Sequence, residues 1–169
     1  MPRSFDLSAN YQGSVTQVHA AFADEQYWLA RLADSGADDA TLDTLDIGAD
    51  GAIVVATTQV LRADRMPGFV AQFHQGDLQI KREEKWSAVV ADRSTASVAA
   101  RIPGAPASVT GSGNLAPDGA GSKADLNVTV EVKIPLVGGK VEGFIGSQLV
   151  ELLISEQRFT TAWILAGQH

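Results

Sequence analysis

Apolar and polar residues alternate with a period of two at the start of the chain, where Phe5, Leu7, Ala9 and Tyr11 interleave with Ser4, Asp6, Ser8 and Asn10. That pattern predicts a half-buried strand. Gly13 closes it, and Ser14 with Gln17 three residues on is a capping-box signature for a helix carrying Val15, Val18 and Phe22. Asp24 is placed to cap a second short helix with Tyr27, Trp28, Leu29 and Leu32, which Gly36 ends as a left-handed cap. From Thr41 the period returns to two. Strands are predicted over 41–47 and 53–61, with Asp50-Gly51 as the tight turn between them, and then over 78–86, 94–102, 107–115 and 123–134. Residues 62–74, which include Pro67-Gly68, read as a loop with at most one helical turn. Pro103-Gly104-Ala105-Pro106 and Asp118-Gly119-Ala120-Gly121 mark further turns. The last strand has the cleanest alternation, with Leu126, Val128, Val130, Val132 and Ile134 on one face.

After Pro135 and Gly138-Gly139 the period changes once more. A long helix is predicted over about 139–165, with Val141, Ile145, Leu149, Leu152, Phe159 and Trp163 on one stripe. At 1.5 Å per residue it spans roughly 40 Å, the width of a whole domain of this size. With no linker or internal repeat, residues 1–169 read as one domain. The order of elements predicts an α+β fold in which a curved antiparallel sheet of six to seven strands wraps around the long C-terminal helix. A straight helix against a curled sheet leaves an apolar cavity with a few polar groups.

Composition narrows the function classes. Of 169 residues, 45% are hydrophobic and 20% charged, so the chain can bury a core. Cysteine is absent, which excludes disulfides, thiolate-held metals and thiol catalysis. Thirteen basic against 20 acidic residues give a formal charge of -7, the wrong sign for a general nucleic-acid or anionic-membrane binder. The opening residues hold no apolar run resembling a signal peptide. Apolar stretches such as 143–150 fall far short of the ~18–20 residues a membrane span needs. A cytoplasmic protein without integral membrane contact is expected. No phosphate-binding, dinucleotide-binding, nucleophile-elbow or zinc motif is present, so no metal and no cofactor is expected.

The chain resembles the START-like, or SRPBCC, superfamily with its helix-grip fold. The residues that carry the likeness are the opening strand running into 14–22, the strand Arg82-Glu83-Glu84-Lys85-Trp86, and the run 132–142 that leads into the last helix. Within that superfamily it is similar to an actinobacterial family of unknown function, on phrases such as Tyr27-Trp28-Leu29-Ala30-Arg31-Leu32 and Phe144-Ile145-Gly146-Ser147-Gln148-Leu149. The resemblance implies a helix-grip domain that holds an apolar small molecule, a lipid, polyketide or isoprenoid, between sheet and helix. Two other readings stay open: a small-molecule enzyme of cyclase or dehydratase type, and a protein-interaction module with a filled core. A shared fold does not choose among them.

Polar residues inside apolar stripes are the sharpest signal in the sequence. Alternation puts Leu78, Ile80, Arg82, Glu84 and Trp86 on one face of a strand. At 100° per residue, Glu156 falls between Leu149 and Phe159 on the buried stripe of the long helix, with Gln148 and Ser155 at its edge. A lone buried charge costs several kcal/mol, so such groups must pair, or meet water or a ligand. One expectation is that Arg82 contacts Glu156 or Glu84, or takes an acidic head group. The plainer expectation is that this end of the strand passes beyond the helix and its charges lie in solvent. The candidate cavity lining is Trp28, Phe73, Arg82, Glu84, Trp86, Val98, Val109, Val128, Val130, Phe144, Ile145, Gln148, Leu149, Leu152 and Glu156.

Three histidines exist. His169 is terminal, His19 reads as a helix-boundary residue, and His74 reads as a loop residue or, at the cavity mouth of a helix-grip fold, as a gate or proton carrier. Asp34, Asp38, Asp39, Asp43, Asp46 and Asp50 cluster without an intervening Lys or Arg. Their spacing fits no calcium loop, and they are expected to form a solvated acidic face. Gly139, Gly143 and Gly146 at the start of the long helix imply either close backbone approach or room for a ligand.

Overall fold

The computed structural model describes residues 2–65, 68 and 76–167. Strand β1 (Arg3–Tyr11) leads into helices α1 (Val15–Phe22) and α2 (Glu25–Asp34). Six strands follow: β2 (Asp39–Ile47), β3 (Ile53–Leu61), β4 (Leu78–Trp86), β5 (Ser94–Arg101), β6 (Ala107–Asp118) and β7 (Gly121–Val132). Helix α3 (Gly138–Ala166) ends the chain, and its 29 residues give about 44 Å of rod. The seven strands form one antiparallel sheet in the order β1-β7-β6-β5-β4-β3-β2. Helices α1 and α2 therefore carry the chain from one edge of the sheet to the other.

Local chemistry explains the boundaries. The Ser14 hydroxyl accepts from the Gln17 amide while the Gln17 side chain accepts from the Ser14 amide, closing the capping box of α1. Asp24 caps α2 by accepting from the Gln26 amide, and Gly36 follows its end at φ 79°. The β2–β3 hairpin turns through residues 48–52, where Asp50 accepts from the Ala52 amide. Strand β2 carries a bulge between Leu42 and Thr44 in its pairing with β3. After β3, Ala63–Arg65 form a single 3-10 turn. Phe73 and His74, expected near a cavity mouth, lie outside the described residues, as does His169.

The core is made of two clusters. The larger fills the end where β4 finishes and α1 begins, and packs Phe22, Tyr27, Trp28, Trp86, Leu115 and Ile164. Its rings interlock: Phe22 lies 4.9 Å from Trp86, and Tyr27 meets Trp28 edge-on at 5.4 Å. The smaller cluster joins Val130, Val132 and Val141 at the other end, with Phe5, Val109, Ile145 and Leu149 packed against it. The first turns of α3 are pinned there by Glu142, which is fully buried and accepts from the Val132 amide at 2.9 Å.

Two glycines set how closely the layers approach. A side chain at Gly146 would run into the Phe5 ring, so the bare backbone lets α3 lie against β1. Of the two meanings open to the helix glycines, Gly146 serves close approach. On the sheet, a Cβ at Gly113 would collide with the Asp125 carbonyl oxygen of β7. That neighbour is backbone, and no rotamer change relieves it. Gly113→Ala is expected to destabilise the fold by about 2 kcal/mol or more, because the crowding exceeds the small entropic benefit of losing a glycine. A urea midpoint equal to that of the wild type would show that β6 and β7 separate without cost.

The acidic run serves local roles at the surface. Asp38 accepts from the Arg62 amide, Asp43 from the Thr58 hydroxyl, and Asp39 from the Ala40 amide. His19 is half-buried at the boundary of α1, with Nε2 2.9 Å from the Ser87 carbonyl oxygen.

Candidate functional site

Register fixes which residues share the face of the sheet that α3 covers. One cross-strand row runs Val55, Glu84, Val98, Gly111, Val128 and Phe5 through β3, β4, β5, β6, β7 and β1. The next row runs Thr57, Arg82, Ala100, Val109, Val130 and Arg3. These rows place Arg82 and Glu84 among apolar and small neighbours such as Val55, Val98 and Ala100.

Arg82 reaches across the gap and grips Glu156 with both arms of its guanidinium. Nη1 donates to Oε2 at 2.8 Å and Nη2 to Oε1 at 3.0 Å. This two-point geometry is the strong form of an ion pair. The Glu84 carboxylate lies 3.3 Å from Arg82 Nη2. The side chains of Arg82, Glu84 and Glu156 are only 17%, 8% and 14% exposed. The plainer expectation, that this end of β4 lies in solvent, is therefore wrong. β4 is an interior strand, and Arg82 and Glu84 point from it toward Glu156 of α3 and Arg31 of α2.

A fourth member was not singled out from the sequence. Arg31 of α2 comes from the other side, with Nη2 2.5 Å from Glu156 Oε1 and 4.0 Å from Glu84 Oε2. Its guanidinium lies 4.5 Å from the centre of the Trp28 ring, a cation–π arrangement. Arg31 Nη1 donates to the Tyr27 hydroxyl at 3.2 Å. Thr160 spends its one proton on the Glu156 carbonyl oxygen, so the Tyr27 hydroxyl donates to Thr160 Oγ1. The signal for Arg31 was present in the sequence. Tyr27, Trp28, Arg31 and Leu32 form the 0, +1, +4, +5 stripe of a helix and are all buried, whereas Leu29 lies off it and is 44% exposed.

Electrostatics follow from this arrangement. Burial acts to raise the Glu156 pKa, but the Arg31 and Arg82 guanidiniums outweigh it and hold the carboxyl pushed down to about 2. Desolvation opposes charge on both arginines too, and the carboxylates, Glu156 foremost, reverse that and raise them. Burial raises the Tyr11 and Tyr27 hydroxyls, so both stay protonated. Glu156 is an anionic anchor, and Tyr27 a neutral donor.

The space around this cluster is small. A cavity of about 20 Å³ lies between α2, β3, β4 and α3, lined by Trp28, Arg31, Arg82, Leu152, Glu156 and Phe159 among others. That is room for about one water. Of the expected lining, Trp28, Arg82, Leu152 and Glu156 border it. Glu84 belongs to the cluster, and Trp86 belongs to the aromatic core, where its Nε1 has no hydrogen-bond partner among the described residues. Val109, Val130, Ile145 and Leu149 pack together in the smaller core cluster, and Val128 is buried. Val98 and Phe144 are half-buried. Gln148, expected at the edge of the stripe, is exposed on the outer side of α3. Ile80, Val98, Val109, Ile145, Leu149 and Leu152 are half-buried. Among the described residues no group of three or more His, Asp or Glu side chains is placed to hold a metal ion, and no helix is long and apolar enough to cross a membrane.

A seven-stranded antiparallel sheet gripping a long C-terminal helix, with two short helices after the first strand, defines a helix-grip-like α+β domain. The chain belongs to the family described as "Protein of unknown function (DUF2505)", whose model matches residues 6–164. An uncharacterised protein of Mycobacterium tuberculosis strain H37Rv is 49% identical over 170 residues, covering 97% of this chain and 98% of its own. Among solved structures, TTHA0849 from Thermus thermophilus superposes with a TM-score of 0.64 at 15% identity, covering 99% of this chain and 100% of its own. Protein Ms6760 from Mycobacterium smegmatis gives 0.54 at 13% identity, covering 96% of this chain and 91% of its own. At such identities the structural likeness speaks for the fold alone.

Proposed function

We propose that this protein is a cytoplasmic carrier of an apolar small molecule, lipid, polyketide or isoprenoid in character, built as a single START-like (SRPBCC) domain over residues 1–169. The molecule enters between the sheet and α3, which part to admit it, since the cavity there holds only about one water. The observation that carries this reading is the set of half-buried apolar residues, such as Ile80 and Leu152, on the same strand and helix that supply Arg82, Glu84 and Glu156 to the buried cluster. These residues supply desolvation at ~25 cal/mol per Å² of apolar area covered. The cluster supplies one polar reference point that orients the ligand. Nucleic acid and integral membranes are not partners in this reading.

The enzyme reading is weaker on a specific ground. A general acid or base works best with a pKa near the operating pH. Glu156 is pushed down to about 2 and is gripped by two arginines. It has neither the proton to give nor the freedom to take one at neutral pH.

The test is native mass spectrometry of the freshly purified full chain, followed by denaturation and organic extraction. The expected spectrum shows a bound species that extraction releases as a small apolar compound. A purely unliganded chain that also fails to bind or be stabilised by added medium-chain alcohols, acids and esters would overturn the carrier reading.

A further inference from the structure

Resting on the carrier reading, we infer that the polar end of the ligand is an uncharged hydroxyl, held between Glu84 and Arg82. Two observations converge on this.

The first is charge balance. Two arginines and two glutamates meet within 4.0 Å and are nearly cut off from solvent. Each arginine faces both carboxylates. An anionic head group would have to take a guanidinium away from a carboxylate that is just as buried, leaving three negative groups on two positive ones. A cationic head group would create the mirror-image excess. Uncompensated buried charge is strongly unfavourable, so a neutral group is the one that enters without breaking the set.

The second is the hydrogen-bond inventory. Glu156 accepts from Arg82 on both oxygens, and Arg31 sits on one of them as well. The Tyr27 hydroxyl and Thr160 are committed to each other, to Arg31 and to the Glu156 carbonyl. Glu84 differs. Among the described residues it accepts no hydrogen bond and makes only two ion-pair contacts, at 3.3 and 4.0 Å, both through Oε2. A carboxylate has about four lone-pair sites, so Glu84 holds the spare acceptor capacity of the cluster. Next to it, Arg82 directs both terminal nitrogens at Glu156 and leaves Nε without a hydrogen bond to any described residue. A hydroxyl donates to the first and accepts from the second. An ester or ketone can only accept, and leaves Glu84 unmet.

Titration calorimetry of the full chain at neutral pH, with four ten-carbon probes, tests this. Decan-1-ol is expected to bind about tenfold more tightly than decanoate, decylamine or methyl nonanoate, the increment of roughly one well-made hydrogen bond over an unmet or charged contact. In Glu84→Gln, checked for folding by circular dichroism, the affinity for decan-1-ol is expected to fall by about the same factor while that for methyl nonanoate stays unchanged. Equal or tighter binding of decanoate, decylamine or the ester to the wild type overturns the hydroxyl inference and leaves the carrier reading standing. So does an unaltered decan-1-ol affinity in folded Glu84→Gln. Binding of none of the four removes the carrier reading, and this inference with it.

Discussion

Glu156→Gln is expected to unfold at a much lower urea concentration than the wild type, with a loss of about 3–5 kcal/mol at neutral pH. The substitution keeps the shape of the side chain and removes its charge. Arg31 and Arg82 are then left facing Glu84 alone across contacts of 4.0 and 3.3 Å, with little solvent to compensate them. The pH dependence has a definite sign. A carboxyl whose folded pKa is depressed contributes stability above its unfolded value, and loses it as the pH falls through the folded one. For Glu156 the drop from an ordinary 4.5 to about 2 is worth about 3 kcal/mol, of the same size as the loss expected from the substitution. The gap between wild type and Glu156→Gln is therefore expected to be full above pH 4.5 and to close as the pH falls toward 2. Denaturant unfolding of both proteins across that range measures it. A gap that stays constant with pH would mean that Glu156 acts through packing and not through its charge.

Trp28→Ala is expected to cost about 3–5 kcal/mol, the usual range for emptying a large aromatic from a packed interior. Trp28 is 2% exposed, packs against Phe22 and Tyr27, and donates from Nε1 to the Phe22 carbonyl at 2.7 Å. The truncation removes apolar contacts, orphans that carbonyl and strips the cation–π partner from Arg31. Trp28→Phe separates these effects. It retains a ring for packing and for Arg31 but still loses the hydrogen bond, so about 1–2 kcal/mol is expected. Equal losses for the two variants, in urea unfolding followed by far-ultraviolet circular dichroism, would show that the hydrogen bond outweighs the packing.

The elements were legible because each has its own period. Strands over 53–61 and 78–86 were predicted with the bounds that β3 and β4 show, and α3 differs from its expected span by one residue at each end. The capping box at Ser14 and Gln17 marked the start of α1 for the same reason, since it is a local device with a local cause. The site was only half legible. Alternation placed Arg82 and Glu84 on one face, and helical spacing placed Glu156 on the buried stripe, but neither says what stands opposite. Arg31 was passed over because a single arginine in a short helix reads as a solvent-facing residue. Its burial depends on α3, which comes more than a hundred residues later. Gln148 shows the converse. Near the start of α3 the packed side is set by Val141 and Glu142, and farther along by Thr160 and Ile164, so one stripe drawn along 29 residues misassigns its borders. The volume left between the layers depends on how side chains interlock, and no periodicity encodes that.

The bulged, acidic strand β2 carries a consequence for the behaviour of the protein in concentrated solution. Among the described residues the sheet is open, so β2 and β1 each end it with one unpaired side. Bare strand edges invite the same edge of another molecule. On β2, Asp39, Asp43 and Asp46 lie along that border, and the irregularity between Leu42 and Thr44 breaks its straight run of backbone donors and acceptors. Two copies brought edge to edge would press like charges together along mismatched ladders. The acidic run thus acts as a fender that keeps the sheet of the described residues from growing by edge-to-edge pairing.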